Sequence, residues 1–339
     1  MKAAIYRRHG PPDVLQIEDV EKPVPKDNEV LIKVRATGVN PLDWRLMQGG
    51  PYILRILLRL GKPKIKRPGV DVSGDVEAVG RNVTEFKPGD AVFGLCKGTF
   101  AEYVSASESA FVIKPGNVTF EQAASVPVAA LTALQGLRDK GRIQLGHKVL
   151  INGAAGGVGT FAVQIAKSFG AHVTGVCSTR NVDMVRSIGA DHVIDYTQEN
   201  FTKADPKSEP KNGKDNGGKN EKRYDIILDN VGNHSLSACR RILNPKGIDL
   251  MVGDQTGRGI ISLLARLVTA FVGSWFASQK FVFFIAKLNK QDLTNLRELM
   301  AAGKVTPVID RCYKLSDTAE AIRYVTEQHA RGKVVITLQ

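Results

Sequence analysis

Lys148–Gly159 reads KVLINGAAGGVG, and the chemistry this stretch offers is backbone chemistry. Val149, Leu150 and Ile151 form a short apolar run of the kind that makes a buried parallel strand. Gly153, Gly156, Gly157 and Gly159 then turn the chain. Thr160–Phe169 follows with apolar residues at Phe161, Val163, Ile165, Ala166 and Phe169, which predicts an amphipathic helix. Strand, glycine turn and helix in this order let bare N–H groups approach a pyrophosphate, and the helix N-terminus adds about half a positive charge. Ala154 takes the place of the first fingerprint glycine, with Gly157 and Gly159 behind it. The competing reading is a tight turn that binds nothing; the elements that follow favour a nucleotide site. A second polar pair, Asn40 and Asp43, lies in the segment GVNPLDWRLMQGG, where spacing alone favours helix capping and turn formation.

The elements around these residues fall into two patterns. The first part of the chain reads as β-rich: KAAIYR and EVLIKVRATGV are strands, Pro41 starts a short helix, 68–80 reads as strand and turn, 83–94 as a turn entering a strand, and further strands follow at 99–104 and 109–114. Glycine and proline punctuation at this density suits a small β-barrel-like domain. From Thr119 the pattern turns helical, with Thr119 and Gln122 spaced as a capping box and Pro127 as an interruption. After the glycine turn, strands at 172–178, 191–196, 224–232 and 248–253 alternate with helices at 181–188 and 235–243. That alternation predicts a doubly wound parallel sheet whose ligand binds at the carboxyl ends of its strands. The ends carry Gly153–Gly159, Ser178–Arg180, Tyr196, Asn230–Gly232 and Gly253. A helix at 292–302, a strand at 305–315, a helix at 317–326 and the strand KVVITL close the chain.

Two segments interrupt these patterns. Lys203–Arg223 carries seven basic and four acidic residues with glycines, asparagines and two prolines, too little apolar area to order itself, and reads as a flexible surface insertion. Gly259–Lys287 is the most apolar stretch, but Arg266 leaves only 267–279 uncharged, short of the roughly 20 residues of a membrane span. Core, a subunit interface or peripheral membrane contact are its readings, and Pro51–Arg67, with Arg55 and Arg59 opposite Leu54 and Leu58, reads as a lid, a membrane-facing patch or a surface helix.

The chain has 339 residues, room for two domains, and a formal net charge of +13. The positive balance favours anionic partners, a phosphorylated cofactor or an acidic membrane surface, although most of the charge is spread along the chain as a solvated surface. Nucleic-acid binding has no recognition motif behind it and is not expected. Cys96, Cys177, Cys239 and Cys312 show no paired spacing, which argues against a disulfide framework and a cysteine-rich zinc site and points to a reducing compartment. Met1–Val14 does not read as a secretory signal, so the expected location is cytoplasmic, or an organelle interior or membrane periphery if a transit segment has been removed.

The segments GVNPLDWRLMQG, PGVDVSGDVEAVG, FKPGDAVFG, GTFAEYV, AASVPVAALTALQGL, GAAGGVG, GADHVIDY, ILDNVG and HARGKVVI together resemble the medium-chain dehydrogenase/reductase superfamily, in its zinc-independent quinone oxidoreductase branch. The resemblance spans nearly the whole chain. It implies an α/β fold with a GroES-like β-rich catalytic domain, residues 1–122 completed by 289–339, and a Rossmann NADP-binding domain at 123–288 that carries the insertion at 203–223. Zinc-dependent relatives place cysteine, histidine and acidic ligands at the positions of Asn40, Val70 and Asp71, so no metal is expected here.

The strand that precedes the adenosine ribose ends in Ser178, Thr179 and Arg180, not in the acid that bonds both ribose hydroxyls in NAD sites. Serine can donate and arginine can pair with a 2′-phosphate, which predicts NADPH over NADH. By resemblance, Tyr196 lies near that phosphate, Ala155, Gly157 and Val158 line the pyrophosphate, and Asn230 and Val231 flank the nicotinamide ribose side; Gly156 and Gly253 are further cofactor-binding candidates at the strand ends. His329, Ala330 and Arg331 close over the cofactor. The expected reaction is hydride transfer to a quinone or an α,β-unsaturated carbonyl, with Asn40 orienting substrate or nicotinamide, Asp43 holding the turn or relaying a proton, and Tyr52 donating to the developing oxyanion or packing on the lid. A homodimer is usual in the branch. The alternative is an NADPH-binding regulatory or membrane-peripheral protein with little turnover.

Overall fold

The computed structural model describes residues 1–49, 66–203, 223–252, 278–327 and 330–338. Tyr52, Gly253 and His329, most of the 203–223 insertion, and most of the 51–67 and 259–287 segments lie outside the described residues. The chain divides into two compact units, one of Met1–Leu131 with Lys287–Gln339 and one of Thr132–Ala286.

The first unit begins with β1 (Lys2–Ile5), β2 (Gln16–Asp19), β3 (Glu29–Val39), helix α1 (Pro41–Gln48), β4 (Asp71–Val79), β5 (Ala91–Leu95), β6 (Tyr103–Ser107), β7 (Phe111–Ile113) and α2 (Phe120–Ala124). Helix α3 (Pro127–Gln135) straddles the division. Pro127 does not interrupt a longer helix; it opens a new one, a position where its missing N–H is no loss. The second unit holds β8 (Lys148–Asn152), α4 (Gly157–Ser168), β9 (His172–Cys177), α5 (Val182–Ser187), β10 (His192–Asp195), β11 (Tyr224–Asp229), α6 (Leu236–Ile242), β12 (Leu243–Met251) and β13 (Lys280–Phe283). The chain then returns to the first unit as α7 (Lys290–Ala301), β14 (Ile309–Lys314), α8 (Thr318–Glu327) and β15 (Lys333–Thr337).

The sheet of the second unit runs β10-β9-β8-β11-β12-β13, and every neighbouring pair is parallel. This is the doubly wound order: the chain moves outward from β8 to β10, then returns to pair β11 against β8 (Asp229 beside Asn152). The switch point thus lies between the carboxyl ends of β8 and β11, where ligands of such sheets sit. Val149, Leu150, Ile151, Ile226, Ile227 and Leu228 are almost wholly buried, as a sheet covered on both faces requires.

The first unit is built around β3. Along it, β4 pairs antiparallel with Val30–Ala36, β6 with Glu29–Lys33, and β15 with Ala36–Val39. A segment from the end of the chain is therefore woven into a sheet made mainly from its beginning. Val30, Ile32, Val34, Val72, Val92, Phe100, Phe111, Val334 and Ile336 pack into one core. Three local differences from the sequence reading have simple causes. β2 is too polar to announce itself and is held by pairing with β1. The strand expected at 99–104 is shifted to Tyr103–Ser107 by its register with β3. β12 starts at Leu243, ahead of the expected 248, because Tyr224 pairs with Leu243 across an irregularity.

Candidate functional site

In the second unit the glycine turn takes a definite shape. Gly153 has φ +78°, a conformation that favours glycine. Gly156, not Gly157, stands two residues after Ala154 and is the residue before the first turn of α4; among the described residues no side chain caps it. Thr160 N–H donates to Gly156 O, so the amides of Gly157, Val158 and Gly159 lie ahead of the intrahelical ladder. A methyl group added to Gly159 would lie 2.1 Å from the Gly153 carbonyl oxygen, so that glycine is what lets helix and strand approach. On Gly156 the same methyl would meet, among the described residues, only that oxygen, at 3.5 Å. Ala154 is tolerated in place of the first glycine because Gly175 on β9 leaves it room: a methyl there would lie 3.0 Å from the Ala154 Cβ. The helix begins three residues before the expected Thr160, since Gly157–Gly159 form its first turn.

Beside this turn a buried network fixes the loop after β11. Asp229 Oδ1 accepts from Asn152 Nδ2 (2.8 Å) and from the N–H groups of Val231 (3.1 Å) and Gly232 (2.8 Å). Asn152 Nδ2 also donates to Asn233 Oδ1 at 3.0 Å. Asn230 Nδ2 donates to Asn152 O, while Asn230 Oδ1 is buried with no partner among the described residues. An acceptor left so suits a hydrogen-bond donor from a ligand. Further along the sheet, Ser178, Thr179 and Arg180 follow β9, and half-exposed Tyr196 follows β10, its N–H donating to Cys177 O. The bare amides, the glycine cradle and the open acceptor fit a dinucleotide. Ala155, Gly156, Gly157, Val158, Ser178, Arg180, Tyr196, Asn230 and Val231 are all carried at the carboxyl ends of this sheet's strands. Ala330 and Arg331 belong to the other unit, where Arg331 N–H donates to Asp310 Oδ2.

In the first unit Asn40 and Asp43 are both buried. Pro41 opens α1, Asp43 Oδ2 accepts the Asn40 N–H at 2.8 Å, and the Asp43 N–H returns to Asn40 O. Asn40 Nδ2 donates to Asp71 Oδ2 at 2.9 Å, and Val128 N–H to Asp71 Oδ1 at 2.9 Å. Lys333, on β15, was invisible to sequence reasoning as a site residue. Its side chain is 3% exposed, and Nζ donates to Asn40 Oδ1 (2.6 Å) and Asp71 Oδ2 (3.3 Å). The only signal was the GK pair before the last strand, and nothing local says that its ammonium would be buried.

Asn40, Val70 and Asp71 are the residues expected at the zinc-ligand positions, and the donor set does not fit zinc. Asn40 and Val70 offer no thiolate or imidazole, and Lys333 already sets a positive charge against Asn40 and Asp71. Among the described residues no cluster of three or more histidine, cysteine, aspartate or glutamate side chains could hold a metal.

Burial pushes the Asp43 carboxyl up to about 7, and repulsion from Asp71 adds to this, against the Asn40 N–H and the Lys333 ammonium. Burial likewise raises Asp71, opposed first by Lys333. Two carboxyls share one ammonium, so a protonated Asp43 leaves the cluster neutral. The folded chain holds the Asp43 proton more tightly than the unfolded chain does. Its contribution to stability is therefore complete below about pH 4 and lost as pH rises through about 7. Asp43→Asn should flatten this dependence and raise the melting midpoint at alkaline pH, checked by thermal melts on either side of neutrality; parallel curves for the two proteins would contradict it.

The two-unit fold, with its parallel sheet and glycine turn, is one found in dehydrogenases and reductases. The chain belongs to the quinone oxidoreductase branch of the medium-chain dehydrogenase/reductase family: residues 26–116 match the alcohol dehydrogenase GroES-like domain and residues 188–336 the zinc-binding dehydrogenase family. It is 34% identical to the chloroplastic quinone-oxidoreductase QR1 of Triphysaria versicolor (99% of this chain, 98% of that protein). It is also 34% identical to the mitochondrial NAD(P)H oxidoreductase RTN4IP1 of Homo sapiens (100% and 89%). Among solved structures, the quinone oxidoreductase from Coxiella burnetii superposes with a TM-score of 0.82 at 28% identity, covering 100% of this chain and 99% of that one. Among the described residues, no helix is long and apolar enough to cross a membrane.

Proposed function

We propose that the chain is a zinc-independent, NADPH-dependent oxidoreductase that reduces a quinone or the β-carbon of an α,β-unsaturated carbonyl. The observation that carries this reading is the uncapped glycine turn at Gly153–Gly159, with free amides at the start of α4. The relatives named quinone oxidoreductase and NAD(P)H oxidoreductase support it. The bound dinucleotide would supply the hydride. The chain's residues hold it: the amides of Gly157–Gly159 take the pyrophosphate, with Ala155, Gly156 and Val158 along it, and Asn230 and Val231 the nicotinamide side. Ser178, Arg180 and Tyr196 take the 2′-phosphate.

Asn40 is the substrate-orienting residue in this reading. Its amide is fixed at both ends by Lys333 and Asp71, and one N–H remains beyond the bond to Asp71. Asp43 holds the turn that carries Asn40. Tyr52 donates to the developing oxyanion. Quinones and enones suit a site without a metal, because the negative charge delocalises into a hydroquinone or enolate. Contact with an anionic membrane and a homodimer belong to the same reading. Asn40→Ala and Tyr52→Phe should lower turnover with a para-quinone by about tenfold or more while leaving the NADPH dissociation constant nearly unchanged. Unchanged turnover in both variants would remove these roles.

A further inference from the structure

The end of β9 and the end of β10 lie side by side, with Asp195 in register with Cys177. An acidic side chain therefore stands next to Ser178–Arg180, on the side of the sheet's edge where the adenosine ribose is expected. A free carboxylate there would bond the ribose hydroxyls, as the acid of an NAD site does. Asp195 is not free. Thr179 Oγ1 donates to its Oδ2 at 2.6 Å, and Thr197 donates to its Oδ1 through both the hydroxyl (2.7 Å) and the backbone N–H (3.0 Å). The Thr179 hydroxyl, with the two Thr197 bonds, holds the carboxyl below its usual range, so it stays charged while its oxygens are engaged. The neighbouring serine is arranged the opposite way. Buried Asn181 donates through Nδ2 to Ser178 Oγ at 3.2 Å, which fills an acceptor site and leaves the Ser178 O–H to donate outward.

We propose that Thr179 and Thr197 are specificity-determining residues: by holding Asp195 they withdraw its carboxylate from the ribose, and with Asn181 turning the Ser178 hydroxyl outward they set the site for a 2′-phosphorylated dinucleotide. This rests on the reading of the second unit as an NADPH site. The acid absent from the end of the second strand is present one strand away, and the two threonines decide whether it acts.

The test is direct titration of the full chain with NADPH and with NADH, followed by cofactor fluorescence, and with 2′,5′-ADP and 5′-AMP by calorimetry. Thr179→Val with Thr197→Val should strip both hydroxyl donors from Asp195, leaving it backbone N–H bonding, and lower the NADPH-to-NADH affinity ratio by about tenfold or more. Adding Asp195→Asn to that variant should restore the ratio. Because Thr179 and Thr197 are exposed, these changes should leave the fold intact, checked by circular dichroism. If wild type prefers NADPH but the ratio of the double variant stays within about twofold, the inference fails and the NADPH reading stands. If wild type binds neither dinucleotide, the underlying reading fails and the inference with it.

Discussion

Lys333→Met should destabilise the first unit by roughly 3–5 kcal/mol, the range for removing one partner of a buried ion pair. The Lys333 side chain is 3% exposed and that of Asp71 is 0% exposed, so no water can take the place of the ammonium without opening the core. Asp71 would be left with the Asn40 amide and the Val128 N–H alone. The Asn40 carbonyl would lose its donor, and the orientation of its amide with it. The double variant Lys333→Met, Asp71→Asn removes both charges and should recover most of the loss, because a neutral amide tolerates this burial better than an unpaired carboxylate. Chemical denaturation of both variants checks this. A double variant no more stable than the single one would show that the ion pair is not what the site depends on.

The second large effect separates two glycines three residues apart. Gly159→Ala should break the turn, because its methyl would sit 2.1 Å from a backbone oxygen that has no rotamer to escape into. Loss of dinucleotide binding should come with loss of stability in the second unit. Gly156→Ala should behave otherwise. Its methyl meets Gly153 O at an ordinary 3.5 Å and no other described atom within range, and its backbone is extended, not left-handed. The fold should survive, while the side chain intrudes where the pyrophosphate approaches, and NADPH affinity should fall by about tenfold or more. Paired melting and titration experiments read the two effects apart. Full NADPH affinity in Gly156→Ala would mean that the turn does not hold the pyrophosphate.

Much of this architecture was legible because it is periodic or because it turns. The alternation of apolar strands with amphipathic helices over 148–253 announces the parallel sheet, and the glycine turn announces its switch point. Asn40 and Asp43 read as capping residues, and Asp43 does bond the Asn40 N–H. What stayed hidden are pairings that no local pattern encodes. Lys333 meets Asp71 across 262 residues of sequence, and only the folded sheet places β15 beside β3. The raised Asp43 carboxyl follows from burial beside a second acid, which capping spacing cannot reveal. Asp195 read simply as part of a strand, and its link to Thr179 depends on the register of β10 against β9.

The most direct measurement is the oxidation of NADPH, followed by its absorbance, with a para-quinone and a short alkenal offered separately and NADH as the control. The account expects NADPH to be consumed with at least one of the two acceptors, and faster than NADH under the same conditions. NADPH that binds tightly but is oxidised by neither acceptor would contradict it.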